Sequence, residues 1–209
     1  MGGYGAVISA GGGVSQLVAE NPESSPNGVL DQVAAGSAAF QSLVDDRFKA
    51  IVAIAPWGRQ NGFWDANGLQ AVRTPMFFIS GSQDNTSGYE KGTRALFQQV
   101  SNVDRYLLTY NSGGHSSAAP IPAPAETVNA FYPDGSSVFI HYADPVWDPV
   151  RGNNIAQHFV TAYFSLLLKD NTAMEPYLKM DDTGDYTQWQ GFPGESAPGI
   201  RLEFLGRAQ

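Results

Sequence analysis

The 209-residue chain contains no cysteine. That excludes from this stretch a disulfide framework, a thiolate zinc site, an iron–sulfur cluster and a cysteine nucleophile. Positive charge is scarce as well: 12 Lys+Arg stand against 20 Asp+Glu, a formal net charge of -8, and no basic run compensates locally. Such a surface repels phosphate backbones and anionic membranes, so nucleic acid is not an expected partner. Long apolar runs are missing too. The longest apolar cluster, around Phe164 to Leu168, falls far short of the roughly 20 residues a membrane-spanning helix needs, and no membrane insertion is expected. The first residues lack the charged-then-apolar pattern of a signal peptide. Charged residues are only 15% of the chain, against 43% hydrophobic and 12% aromatic, a balance that fits neither a disordered chain nor a coiled coil. The length suits a single domain.

Hydrophobic patterning predicts an α/β architecture. The opening MGGYGAVIS is small and apolar, with glycines at 2, 3 and 5 that let a helix approach a sheet closely. A polar loop, Glu20 to Gly28, leads to a helix predicted from Leu30 to about Leu43. Phe48 to Ala55 (FKAIVAIA) is a near-continuous, β-branched run that predicts a strand buried on both faces of a parallel sheet, stopped by Pro56. Further strands are predicted at Pro75 to Ser80 and Arg105 to Tyr110, with a helix from about Glu90 to Val100 between them. Residues 118–152 break this rhythm: PIPAPAE is stiff and extended, SSVFIHY is β-like, and the whole reads as an excursion or lid-like segment over the surface or a site. Ile155, Phe159, Ala162, Tyr163, Leu166 and Leu167 recur at helical spacing and predict an amphipathic helix from Asn154 to Leu168. From Asp170 onward the chain reads as a polar, surface-hugging tail. About three strands are expected in all.

In a parallel sheet, functional side chains gather where the strands' carboxyl ends converge. Asp84 lies four residues beyond Ser80 and His115 five beyond Tyr110. A carboxylate and an imidazole on adjacent strand-end loops can form the acid–histidine half of a catalytic triad, the acid orienting the ring and stabilising the imidazolium. The sequence supplies no nucleophile at the corresponding position.

The opening MGGYGAV resembles the segment that follows the nucleophilic serine of α/β-hydrolases, where the turn reads G-x-S-M-G-G-Y-G in many members. FKAIVAIAP with Trp57, VRTPMFFISGSQD, GGHSS and DPVWDPVRGNNIAQHFVTAYFSLLLKDN together resemble the second half of bacterial serine esterases of the dienelactone-hydrolase-like and cutinase-like groups, over residues 1 to about 179. The order of elbow, acid and histidine is that of the family. The resemblance implies an incomplete α/β-hydrolase fold that starts just after the elbow serine, the serine and the first strands lying upstream. It implies Asp84 as triad acid, His115 as general base, the backbone N–H of Met1 in the oxyanion hole, and Trp57 lining the substrate cleft. It implies carboxylic-ester hydrolysis through an acyl-enzyme, with a small-molecule or polymeric ester as substrate and neither metal nor organic cofactor. Relatives of this type are often exported. Dienelactone hydrolases themselves use cysteine, which this chain lacks.

Other readings compete. The chain is also compatible with a truncated, inactive hydrolase-like domain or a binding module. Gly114-His115-Ser116-Ser117-Ala118 matches G-x-S-x-A, which makes Ser116 a rival nucleophile with His141 or His158 as base, but an elbow must run into a helix and this one runs into prolines. His158, beside Ile155 and Phe159 on the amphipathic helix, reads as a packed boundary residue. The glycine-rich start lacks the preceding strand and lysine of a phosphate loop. Asp144, Asp148 and Asp182 do not follow the spacing of an ordered calcium loop.

Overall fold

A computed structural model describes residues 1–118, 123–179 and 199–208. Its centre is a four-stranded sheet in the order β1 (Ile51–Ile54), β2 (Met76–Gly81), β3 (Arg105–Tyr110) and β4 (Ile200–Leu205). The first three strands are parallel, with Ile51, Met76 and Arg105 in register, and β4 runs antiparallel to β3. Helices cover both faces, and the protein is an α/β fold with a mixed, mostly parallel sheet.

The period-two alternation of the strands sorts the core into two layers. Met76, Phe78 and Leu107 face a layer holding Val7 of helix α1 (Gly2–Ser9) and Leu96 and Phe97 from the helix at Arg94–Gln99. Phe77, Ile79, Leu108 and Tyr110 face the other layer, filled by Ile155, Phe159, Ala162 and Tyr163 of helix α2 (Pro149–Lys169). That helix starts five residues before its predicted bound because Asp148 caps it, accepting the Arg151 N–H at 2.8 Å, and Pro149 occupies its first turn.

Several expectations are corrected. The strand predicted from Phe48 is a strand only over Ile51–Ile54, and it is the outer one among the described strands: Ile54 is 40% exposed, so here it is not buried on both faces. β2 is the strand buried throughout. The helix predicted over 30–43 is split into a 3-10 turn at Asp31–Val33 and an α-helix at Ala38–Leu43, because Gly36 adopts φ +76 between them. The helix predicted over 90–100 begins as a π-helical turn, Tyr89–Thr93, before its α-helical part. The SSVFIHY segment is a 3-10 helix at Val138–His141 rather than a strand, opened by the Ser137 hydroxyl accepting the Phe139 N–H. The tail is not merely surface-hugging. Leu178 is buried, and I-R-L-E-F-L at 200–205 alternates as a half-buried strand does and pairs with β3. Residues 119–122 of the proline-rich stretch and Asp182 lie outside the described residues.

Among the described residues no helix is long and apolar enough to cross a membrane.

Candidate active site

Because β1, β2 and β3 are parallel, their carboxyl ends share one edge of the sheet, and the loops carrying Trp57, Asp84 and His115 leave from it. Gly3 of α1 reaches the same edge: a Cβ there would lie 2.8 Å from Pro56 Cα and collide with the Ile54 carbonyl. The helix start therefore abuts the end of β1.

The structure brings Asp84 and His115 into direct contact. Nδ1 of His115 lies 3.0 Å from Oδ2 of Asp84 and 3.1 Å from Oδ1. The Asp84 side chain is fully buried, and that of His115 is 42% exposed. A buried carboxylate must be satisfied by hydrogen bonds, and Asp84 Oδ1 accepts the N–H groups of Thr86 and Ser87, each at 2.9 Å. Ser87 in turn donates its hydroxyl to the Ala55 carbonyl at 2.7 Å, tying the acid's loop to the end of β1. Ala55 has φ +44, an uncommon conformation for a residue with a Cβ and one that gathers at functional sites. With the carboxylate accepting at Nδ1, the neutral imidazole carries its proton there and presents Nε2 as a base.

The two loops are locked together below the pair. Gln83 N–H donates to the Gly113 carbonyl at 2.8 Å, and Ser112 N–H donates to the Ser82 hydroxyl at 2.8 Å. At Gly81 a side chain would collide with the carbonyls of Gly113 and Gly114, so only glycine allows the approach. Tyr110, at the end of β3, donates its hydroxyl to the Gly152 carbonyl at 2.6 Å, and burial pushes its pKa far up, fixing the base of the His115 loop to α2.

From sequence Asp144 reads as a surface carboxylate outside any calcium-loop spacing, and its observed role is different. Its Oδ2 accepts the Gly114 N–H at 2.6 Å, while Oδ1 accepts the N–H groups of Val146 and Trp147 at 2.9 Å. It clamps the residue before His115 to the 123–148 excursion. The D-P-V-W turn was the signal in the sequence, since Asp favours bonding its own backbone two residues on. Asp144→Asn leaves the Val146 and Trp147 bonds to the amide oxygen and turns an N–H toward the N–H of Gly114. We expect it to lower stability by about 1–2 kcal/mol, read as a shifted urea midpoint.

The remaining predicted residues are not joined to the pair by these bonds. Met1 caps the start of α1, accepts the Gly5 N–H at 3.1 Å and is 89% exposed. Trp57 is half-buried at the end of β1, its ring 5.1 Å from that of Phe63. The Ser116 hydroxyl donates to the Ile140 carbonyl at 3.2 Å. His158 packs edge-on against Phe159, with its rings 4.9 Å apart, and burial lowers its pKa. Asp148 is the cap of α2. No group of three or more His, Asp or Glu among the described residues is placed to hold a metal ion.

A cleft of about 390 Å³ opens beside His115, walled by the excursion at Phe139, Ile140 and Ala143. A larger groove, about 900 Å³, runs past Arg73, Asp104 and Arg207 at the opposite edge, where the strands begin. Comparison with models of known protein families gave no match, and a search of curated proteins gave none either.

Proposed function

We propose that Asp84 and His115 are the acid–base pair of a serine carboxylic-ester hydrolase of the α/β-hydrolase fold, whose nucleophile is a serine immediately upstream of Met1. The observation that carries this reading is the contact of a fully buried, doubly N–H-bonded carboxylate with a half-exposed imidazole, on adjacent strand-end loops. The meeting of the α1 start with the end of β1 supports it, because that places the opening of the chain on the same edge.

In this reading Nε2 of His115 takes the serine Oγ proton as Oγ bonds to the ester carbonyl carbon. The negative charge that develops on the carbonyl oxygen is met by backbone N–H groups at the start of α1, that of Met1 included. Collapse breaks the carbon–oxygen bond to the alcohol, and Nε2–H returns its proton to the leaving oxygen. A water repeats the sequence on the acyl-enzyme. Asp84 holds the Nδ1–H tautomer throughout.

Hydrolysis of short p-nitrophenyl esters by the full-length gene product tests the reading. His115→Ala is expected to remove all but background turnover, and Ser116→Ala to change it less than about twofold, since its hydroxyl is bonded within the excursion. Loss of turnover with Ser116→Ala would make Ser116 the nucleophile. Turnover that survives His115→Ala would leave the pair a structural contact in a binding module.

A further inference from the structure

We propose that the cleft between the His115 loop and Phe139–Pro145 is the subsite for the leaving alcohol of an uncharged ester with an apolar alcohol group. This rests on the ester-hydrolase reading and goes beyond it by naming which half of the substrate the cleft takes and its chemistry.

The lining comes first. Gly114, Phe139, Ile140, Ala143 and Pro145 present apolar atoms to the cleft, whose volume of about 390 Å³ falls within the range of small-molecule sites. Besides His115, its polar side chains are engaged within the protein: Asp144 accepts three backbone N–H groups, and the Ser116 hydroxyl donates to the Ile140 carbonyl. Among the described residues no lysine or arginine lines it, so a carboxylate or phosphate on the ligand would meet no such cation from them and would face Asp144 in a chain of net charge -8.

The wall is also preformed. The 3-10 helix Val138–His141 is held by the Ser137 cap, by Val138 N–H donating to the Ala130 carbonyl at 3.0 Å, and by pairing of Phe131 with Ser137. It leaves Phe139 37% and Ile140 56% exposed beside His115. An apolar group seated there removes that surface from water.

The assignment to the alcohol follows from proton bookkeeping. The imidazole that deprotonates the nucleophile must later protonate the leaving oxygen, so the alcohol departs past the histidine while the acyl group stays with the nucleophile. His115 is itself part of the cleft wall. The group that fills the cleft is the one attached to the oxygen His115 protonates.

The test uses acetate esters that differ only in their alcohol, 2-naphthyl acetate and methyl acetate, with the full-length gene product and its Ile140→Asp and Phe139→Ala variants. Both side chains are exposed enough to be replaced without unfolding the chain. Each variant is expected to lower the naphthyl-to-methyl ratio of kcat/KM by about tenfold. In the 209-residue chain, 2-naphthol is expected to shift the amide resonances of His115 and residues 139–145, with 2-naphthoate at least about tenfold weaker. Turnover that requires His115 but whose naphthyl-to-methyl ratio is unchanged in both variants overturns the alcohol subsite and leaves the hydrolase reading standing. Turnover independent of His115 overturns that reading, and the subsite with it.

Discussion

Asp84→Asn in the full-length gene product is expected to lower ester turnover by about four orders of magnitude at neutral pH while leaving the fold intact. The size follows from the acid's hydrogen bonds. Oδ1 of Asp84 accepts two backbone N–H groups, from Thr86 and Ser87, and Oδ2 lies nearest to His115 Nδ1. An asparagine can keep the first two bonds only with its carbonyl oxygen at the Oδ1 position. Its NH2 group then takes the Oδ2 position, 3.0 Å from Nδ1, and competes there with the carbonyl oxygen, which lies 3.1 Å from Nδ1 but already accepts the two loop N–H groups. A donor facing Nδ1 makes that nitrogen the acceptor, moves the ring proton to Nε2, and leaves no base to receive the nucleophile's proton. The two loop amides thus turn an isosteric change into a tautomer change. Asp84→Ala is expected to lose activity to a similar degree and stability as well, because the Thr86 and Ser87 N–H groups lose their acceptor. Steady-state turnover of a p-nitrophenyl ester alongside a urea melt separates the two variants. Asp84→Asn turnover within tenfold of the parent would show that the carboxylate does not set the ring's protonation.

The sequence disclosed this pair because its physics is local. Strands that end in turn residues announce themselves by composition, and Arg105 to Tyr110 is ordered over the span its pattern predicts. Asp84 and His115 then follow from counting residues past two strand ends. What sequence could not show depends on contacts distant in the chain. Asp144 reaches Gly114 across 30 residues, and nothing in either segment names the other. β4 pairs with β3 from about a hundred residues away, its alternation only six residues long. V-F-I is β-prone and predicts β structure, yet Val138–His141 is a 3-10 helix. A serine cap next to a tight turn at Gly135, φ +84, decided otherwise.

Trp64→Ala is expected to cost about 3–5 kcal/mol, a large share of the roughly 5–15 kcal/mol that holds a domain folded. Trp57→Ala, seven residues earlier in the same loop, is expected to cost about 1 kcal/mol or less. By composition the two tryptophans are alike, since both follow the strand stopped by Pro56, and only the family resemblance singles out Trp57. The structure separates them by burial. Trp64 is 1% exposed, its indole N–H donates to the Gly12 carbonyl at 3.1 Å, and its ring lies 5.1 Å from that of Tyr4. Removing it opens a cavity beneath α1 and takes away a buried hydrogen bond that ties the helix's exit to the loop after β1. Trp57 is half-buried, and among the described residues its one aromatic ring partner is Phe63. A thermal melt reads the difference as a fall of roughly 10 °C for Trp64→Ala against a few degrees for Trp57→Ala. Since the start of α1 is where the proposed oxyanion donors lie, Trp64→Ala is also expected to depress turnover at temperatures well below its own melt. Equal losses of stability at the two positions would make Trp57 a core residue and remove it from the substrate-contact role.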